Sequence, residues 1–338
     1  MNRVAQLEQF MTKPSSALIE DLKQIDGDIL ILGIGGKMGP TLAKMTKRAI
    51  DEAGLQKRVI GVSRFSAGAL QQELEDAGIE TIAADLLNED QLQGLPDVKN
   101  VIFMAGNKFG TTGNEHFTWA MNAYLPGRVA EKYKNSRIVA FSSGNIYPFS
   151  EVTKGNCSED IVPSPIGEYA QSCLGRERVL TNFSIRNHTP LVLFRLNYAI
   201  DMRYGVLLEV AKAVHEERAI DLTTGSVNVI WQGDANEYAL RSLLLCSSPP
   251  KILNVTGPET ISVRWLAKEF GNRFDKQPVF EGNEQTTALL NTASQAHQLF
   301  GYPSVTLQEM IDRTVSWIRE GGETYNKPTH FQERKGAF

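Results

Sequence analysis

Residues 28–39 read DILILGIGGKMG, a short apolar run followed by Gly33, Gly36 and Gly39. A run of four to eight apolar residues that ends in glycine is typical of a buried β-strand. The residues that follow, MGPTLAKMTKRAIDEAG, have the periodicity of a helix that ends at Gly54. We therefore predict a strand, a tight glycine turn and a helix, in that order.

Each of the three glycines has a possible use in binding a dinucleotide. The first permits the tight turn, the second lets a pyrophosphate approach backbone N–H groups, and the third lets the helix pack closely on the strand. An ordinary strand–helix turn can also contain glycine, but the position directly after a predicted first strand favours dinucleotide binding. Lys37, inside the turn, is a further candidate partner for a phosphate.

Short apolar runs continue to alternate with helical segments as far as about residue 200, which predicts parallel strands joined by crossover helices. The fold class is therefore α/β, a doubly wound parallel sheet of the Rossmann type with a smaller C-terminal substrate lobe. The predicted strands are RVIGVSRFS, IETIAAD, NVIFMAG, RIVAFSS and PLVLFRLN, and the helices lie near 68–77, 88–94, 116–134 and 167–183.

The regular alternation of apolar runs and helical segments ends at about residue 200, and the predicted domain boundaries follow from this change. Residues 1–27 form a helical lead-in and residues 28–200 the dinucleotide-binding domain, with a return segment at about 228–248. Residues 201–227 and 249–338 form the substrate lobe and a polar tail. The sequence leaves open whether this tail is disordered or lies across a neighbouring molecule.

Composition and charge exclude several classes of function. The chain has 338 residues and a net charge of −4, so it has no basic footprint for nucleic acid or a membrane surface. It contains no apolar run of membrane-spanning length. Its three cysteines have no CxxC spacing and its histidines no paired spacing, so we expect reduced thiols, no metal site and a cytoplasmic location.

The end of the second predicted strand bears on the choice of cofactor. An NAD enzyme usually has an acidic residue there, whereas this chain has Ser63 and Arg64. Arg64 can pair with a 2′-phosphate, which favours NADP, although NAD stays open because Arg64 can also be a solvated residue. Asp85, at the end of the third strand, either hydrogen-bonds the adenine amino group or caps the next helix.

Five motifs occur in a telling order along the chain. The glycine spacing and FMAG are followed by Asn122, by SSGNIY and by Tyr169 in GEYAQSC. Together they resemble the extended short-chain dehydrogenase/reductase superfamily, the NAD-dependent epimerase/dehydratases, over about residues 28–320. The resemblance implies an NAD(P)-binding enzyme that acts on a sugar, a sugar acid or a related polyol.

The resemblance also implies roles for individual residues. Tyr169 would be the catalytic acid/base, and Ser143 would hold the reacting oxygen while a hydride passes between substrate and nicotinamide. Besides Gly33, Gly36, Gly39, Lys37, Ser63, Arg64 and Asp85, the expected cofactor-binding residues are Met38, Leu86, Ala105, Gly106, Asn122, Cys173 and Asn197. The expected substrate residues are Asn145, Arg203 and Trp231; Trp231 could stack on a sugar face, but the sequence favours a core tryptophan.

The chain departs from the family where a lysine should follow Tyr169. That lysine binds the nicotinamide ribose and lowers the pKa of the tyrosine, but this chain has Cys173. A neutral thiol supplies no positive charge, so Lys108 or Arg176 is a candidate substitute; Lys108 can also be a solvated loop residue. The departure leaves a second hypothesis open, a catalytically silent NAD(P)-binding sensor.

Two further expectations concern partners. The segment GSVNVIWQGD lacks the Arg-Asp pair that is common beside nucleotide-sugar diphosphates, which makes a nucleotide sugar a weaker candidate substrate. The resemblance also implies a homodimer formed through the helices at about 116–134 and 167–183.

Overall fold

The computed structural model describes residues 2–66 and 68–337. Its helices are α1 (Arg3–Met11), α2 (Ser16–Gln24), α3 (Gly39–Glu52), α4 (Gly68–Asp76), α5 (Glu89–Gln93), α6 (Glu115–Trp119), α7 (Leu125–Lys132), α8 (Gly167–Asn187), α9 (Val206–His215), α10 (Gln232–Arg241), α11 (Val263–Phe274), α12 (Ser294–Phe300) and α13 (Leu307–Arg319). A π-helical turn, Ala120–Tyr124, joins α6 to α7.

Seven parallel strands form the central sheet. They are β1 (Ile29–Leu32), β2 (Val59–Ser63), β3 (Glu80–Ala83), β4 (Asn100–Phe103), β5 (Arg137–Ser143), β7 (Leu191–Leu196) and β12 (Lys251–Val255). The short strands outside the sheet are β6 (Ser150–Glu151), β8 (Ala199–Ile200), β9 (Ala219–Asp221), β10 (Ser226–Val227), β11 (Ile230–Trp231), β13 (Ile261–Ser262), β14 (Val279–Glu281) and β15 (Thr287–Ala288).

The strand order of the sheet is β12-β7-β5-β4-β1-β2-β3. The chain winds outward from β1 in both directions, so the order reverses between β1 and β4. Leu32 is in register with Val62 on one side and with Phe103 on the other. In an open α/β sheet, ligands bind outside the carboxyl ends of the strands at such a reversal, which confirms the predicted fold class and locates the cleft.

Apolar side chains from both faces of the sheet form two cores, and the substrate lobe has a third. The four residues of β1 are all buried, with Ile29 and Ile31 in one core and Leu30 and Leu32 in the other. This division follows from the alternation of side chains along a strand. The third core lies among α9, α11 and α13.

One predicted boundary is wrong. The sequence boundary at residue 249 would assign β12 to the substrate lobe, but Lys251–Val255 pairs in parallel with β7 and completes the central sheet. The segment ILNVTG has the composition of a strand, but its partner is some sixty residues earlier in the chain, and no local pattern indicates such a pairing. The predicted return segment does contain α10, which packs against α2 and α3.

The C-terminal segment, residues 322–337, folds back over its own chain. Phe331 is 2% exposed and belongs to the core of the substrate lobe. Arg334 donates two hydrogen bonds to Thr287, and Gly336 lies against Gly167 at the start of α8. In the described part of the chain, no helix is long and apolar enough to cross a membrane.

Candidate active site

Two adjoining cavities follow the carboxyl ends of the strands. The first, about 380 Å³, lies over β1, β2 and β3, and the second, about 300 Å³, lies between the sheet and the substrate lobe. They share Gly33, Gly36 and Met104, so they meet at the glycine turn. A ligand with two halves can therefore cross the turn from one cavity to the other.

The glycine turn has the geometry that a dinucleotide requires. Gly33 has φ +93°, and a Cβ there would lie 2.6 Å from the backbone nitrogen of Ala105. A Cβ on Gly39 would overlap the carbonyl group of Ile34, so only glycine lets α3 approach β1 this closely. Gly36 is exposed beside both cavities. The turn thus presents open backbone at the N-terminus of α3, where a pyrophosphate fits.

The first cavity brings together the residues that were predicted to bind adenosine. Ser63, Arg64, Asp85 and Leu86 all line it. Asp85 accepts a hydrogen bond from the backbone nitrogen of Leu87 at 3.0 Å, so its carboxylate also stabilises the turn that follows β3. The side chain of Arg64 is exposed, and within residues 2–66 and 68–337 no carboxylate forms an ion pair with it.

The second cavity contains the predicted catalytic residues. Ser143, at the end of β5, and Tyr169, in the first turn of α8, both line it and are hydrogen-bonded to each other. The hydroxyl of Ser143 donates to Asn145 Oδ1 at 3.0 Å and accepts from the backbone nitrogen of Asn145 at 3.1 Å. Asn197 lines the same cavity from the end of β7.

The pKa of Tyr169 reflects opposing influences. Burial raises the pKa above its usual range, and the neighbouring Cys173 acts in the same direction. The hydrogen bond with Ser143 and the charge of Arg176 both oppose this rise. In the protein without a bound cofactor, Tyr169 is therefore a protonated phenol at neutral pH.

Cys173 is buried one helical turn after Tyr169. It packs with Ile146, Tyr147 and Cys157 and is 1% exposed. Burial raises the pKa of its thiol, so the group is neutral at physiological pH. Cys173 does not line either cavity, and its predicted contact with the cofactor stays a prediction.

Lys108 and Arg176, the two candidate cations, occupy different positions. Lys108 lines the second cavity, with its Nζ 5.7 Å from the centre of the Tyr169 ring, and burial lowers its pKa to about 8. Arg176 is buried beneath Gly106, where it donates hydrogen bonds to the carbonyls of Phe141 and Ala105 at 2.6 and 3.2 Å. Lys108 can thus reach a ligand directly, whereas Arg176 acts from below the cavity.

Asn122 connects Arg176 to the loop after β4. Its Oδ1 accepts hydrogen bonds from Arg176 Nη2 at 2.9 Å and from the backbone nitrogen of Asn107 at 2.8 Å. Its Nδ2 donates to Ser172 at 3.0 Å. Asn122 is fully buried and lies in the π-helical turn, a feature found frequently at functional sites. Its role in the structure is to hold the loop that carries Ala105 and Gly106.

Two predicted substrate residues lie away from the second cavity. Arg203 is 7% exposed and pairs with Asp201 at 2.7 Å and with Glu8 at 3.1 Å. Trp231 is 2% exposed in the core of the substrate lobe, 5.6 Å from the ring of Phe10. Neither residue lines the cavity that contains Tyr169; Arg203 is engaged in ion pairs and Trp231 in packing.

Sequence reasoning missed several residues of the second cavity. Tyr204 and Phe109 line it on either side of Lys37, and Thr329 reaches it from the C-terminal segment. It also missed the buried ion pair between Glu177 and Arg195, whose two bonds of 3.0 and 2.7 Å fasten α8 to β7. The polar tail and the isolated aromatic residues gave no periodic signal that could have identified these contacts.

Within the described ranges, no cluster of three or more His, Cys, Asp or Glu residues could hold a metal ion. No family model and no curated protein sequence matches the chain. Solved structures do match it. UDP-glucuronic acid 4-epimerase from Bacillus cereus, in complex with UDP-glucuronic acid and NAD, has a TM-score of 0.70 and 18% identity, covering 87% of this chain and 99% of that one.

Two other solved structures give similar values. UDP-glucose 4-epimerase from Thermotoga maritima has a TM-score of 0.68 and 16% identity, covering 87% of this chain and 99% of the other. An epimerase from Methanothermobacter thermautotrophicus has a TM-score of 0.71 and 18% identity, covering 90% and 96%. This chain has the fold of these epimerases. The predicted resemblance is thus confirmed at the level of the fold.

Proposed function

We propose that this protein is an NAD(P)-dependent oxidoreductase, or an epimerase that works by transient oxidation, acting at a carbinol carbon of a sugar, a sugar acid or a related polyol. The observation that supports this most strongly is that Ser143 and Tyr169 are hydrogen-bonded in the cavity next to the glycine turn. The solved epimerases of the same fold that were crystallised with NAD support the choice of cofactor class.

The proposed reaction assigns one task to each residue. When bound, the nicotinamide would supply the acceptor for a hydride from the carbinol carbon. Tyr169 must first lose its own proton, and its phenolate then accepts the hydroxyl proton, so that the carbinol becomes a carbonyl group. The hydroxyl of Ser143 turns from Asn145 Oδ1 to donate to the same oxygen, while the backbone nitrogen of Asn145 continues to donate to Ser143 Oγ. In the reverse direction Tyr169 returns the proton.

A substrate panel tests this function. The purified protein, loaded with NAD or NADP, is mixed with aldoses, sugar acids and polyols while the fluorescence of reduced nicotinamide is followed. Accumulating reduced cofactor indicates net oxidation, and a transient signal with a changed sugar configuration indicates epimerisation. If no member of the panel reduces the cofactor although the cofactor binds, the sensor hypothesis suggested by Cys173 becomes the better one.

The proposal includes a preference for NADP, because Arg64 lines the first cavity and no carboxylate in the described part of the chain pairs with it. We expect NADP to bind at least about tenfold more tightly than NAD in calorimetric titrations, and Arg64→Ala to remove the difference. Arg186→Ala, on α8 and away from both cavities, is the control. A tenfold preference of the wild type for NAD would contradict this assignment.

A further inference from the structure

Lys37 has an unusual position for a residue of a glycine turn. Its side chain extends into the second cavity, where Nζ lies 3.2 Å from the centre of the Tyr204 ring and 4.7 Å from that of Phe109. Aromatic faces attract a cation and fix its position. Lys37 lines the second cavity, as Tyr169 does, and does not line the first, so its side chain belongs to the catalytic end of the cleft rather than to the adenosine end.

The electrostatic surroundings of Lys37 favour an anionic ligand. Among residues 2–66 and 68–337, no carboxylate lies within ion-pair distance of Lys37, and the wall of the second cavity contains lysines but no aspartate or glutamate. Burial is the main cause that lowers the pKa of Lys37 to about 7, and the charges of Lys108 and Lys327 act in the same direction. The carboxylate of Glu209, on α9, does not pair with Lys37 but accepts hydrogen bonds from the backbone nitrogen and the hydroxyl of Thr329. A bound anion would relieve the repulsion among these lysines.

The C-terminal segment limits the size of that ligand. Thr329 forms part of the cavity wall, and the segment is held in place by the buried Phe331 and by the two hydrogen bonds of Arg334 to Thr287. The cavity of about 300 Å³ is near the lower end of the range for small-molecule sites. It must also admit the nicotinamide end of the cofactor, so the remaining room suits a monosaccharide.

We propose that Lys37 binds an anionic group of the substrate, and that the substrate is a monosaccharide derivative with a carboxylate or phosphate group and without a nucleotide. This inference rests on the proposed function, because it places the substrate beside Tyr169. It assigns to Lys37 a role in substrate recognition in place of the cofactor phosphate contact expected from the sequence.

Calorimetric titration of the cofactor-loaded protein tests the inference through binding alone. The probes are D-glucuronate, D-galacturonate and D-gluconate, each paired with its uncharged counterpart D-glucose, D-galactose or D-glucitol. D-Glucose 6-phosphate distinguishes phosphate from carboxylate, and UDP-glucuronate tests the size limit. The variants are Lys37→Met and Lys37→Arg, with Lys268→Met, an exposed residue of α11, as the control.

We expect at least one charged probe to bind about tenfold or more tightly than its uncharged partner and more tightly than UDP-glucuronate. Loss of one charged hydrogen bond predicts that Lys37→Met weakens this binding at least about tenfold, whereas Lys268→Met leaves it unchanged. Lys37→Arg should retain most of the preference for the charged probe. The affinity for the cofactor should be unaffected in all three variants.

Three results would overturn the inference. They are the failure of every charged probe to bind, equal binding of charged and uncharged partners, and a loss of cofactor affinity in Lys37→Met with the probe preference intact. The last result would assign Lys37 to the cofactor pyrophosphate. Probe binding that depends on Lys37 without any hydride transfer would support the anion site and contradict the proposed function, so the two can fail separately.

Discussion

The ammonium group of Lys108 lies 5.7 Å from the centre of the Tyr169 ring and is charged below a pH of about 8. We predict that Lys108→Met raises the pKa of Tyr169, because a nearby positive charge favours the phenolate. In the direction of oxidation Tyr169 must lose its proton. Below about pH 8, where Lys108 is charged, kcat/KM of Lys108→Met should therefore be about tenfold lower than that of the wild type, which displaces this part of the rising limb by about one pH unit.

The comparison variant for this measurement is Lys108→Arg, which keeps the charge and should keep the limb near its original position. Above pH 8 the wild-type lysine also loses its charge, so the rates of wild type and Lys108→Met should converge. An unchanged profile in Lys108→Met would indicate that Arg176 alone supplies the positive charge that Tyr169 requires.

Among single residues, the sequence indicates those whose backbone conformation is constrained by the neighbouring chain. Gly33, Gly36 and Gly39 were identified because a strand–turn–helix unit constrains the backbone at each of them. Arg203 was expected to bind substrate, but its ion-pair partner Glu8 is 195 residues away in the chain. A single sequence contains no information on such a distant pairing, so the ion pairs of Arg203 could not be predicted and its role in substrate binding stays a prediction.

Among the elements, the C-terminal segment forms one wall of the candidate site. Phe331 is 2% exposed, and its backbone nitrogen donates to the hydroxyl of Thr329 at 3.2 Å. We predict that Phe331→Ala lowers the free energy of unfolding by about 3–5 kcal/mol, because it removes a fully buried aromatic ring. Urea unfolding followed by circular dichroism measures the change.

Tyr302→Ala provides the matched control, since Tyr302 is 74% exposed. Its effect should stay within about 0.5 kcal/mol. If Phe331→Ala were as mild as this control, the C-terminal segment would not be packed on the substrate lobe in solution, and the size limit inferred for the cavity would have no basis.

Most elements were predictable because burial on both faces makes parallel strands continuous apolar runs. Two features were not. The helix predicted over 116–134 is interrupted by the π-helical turn Ala120–Tyr124, which a period of 3.6 residues does not indicate. The position of the tail is not predictable from the sequence, because the tail is polar except for isolated aromatic residues and is held by tertiary contacts such as those of Phe331 and Arg334.

The family resemblance predicts that the whole molecule forms a homodimer. The helices expected at its interface, at about 116–134 and 167–183, correspond to α6, α7 and α8 in the structure. These helices and the π-helical turn expose large apolar residues, Trp119, Tyr124 and Ile185, which are 38%, 55% and 52% exposed. We predict that light scattering at micromolar concentration gives twice the chain mass of 37.5 kDa. Tyr124→Glu should shift the equilibrium towards the monomer. A light-scattering mass equal to that of one chain in the wild type would contradict the prediction.

The central claim is that Tyr169 performs acid–base chemistry although Cys173 stands where the family has lysine. The most direct measurement compares the rate of cofactor reduction, at saturating cofactor and with the best substrate of the panel, in wild type, Tyr169→Phe and Cys173→Ala. We predict that Tyr169→Phe lowers kcat by at least about 100-fold with little change in cofactor affinity, since general acid–base catalysis contributes about 10²–10⁴-fold. Cys173→Ala should retain activity within about threefold, because the buried thiol is neutral. Full activity in Tyr169→Phe, or a Cys173→Ala variant as inactive as Tyr169→Phe is predicted to be, would contradict this account.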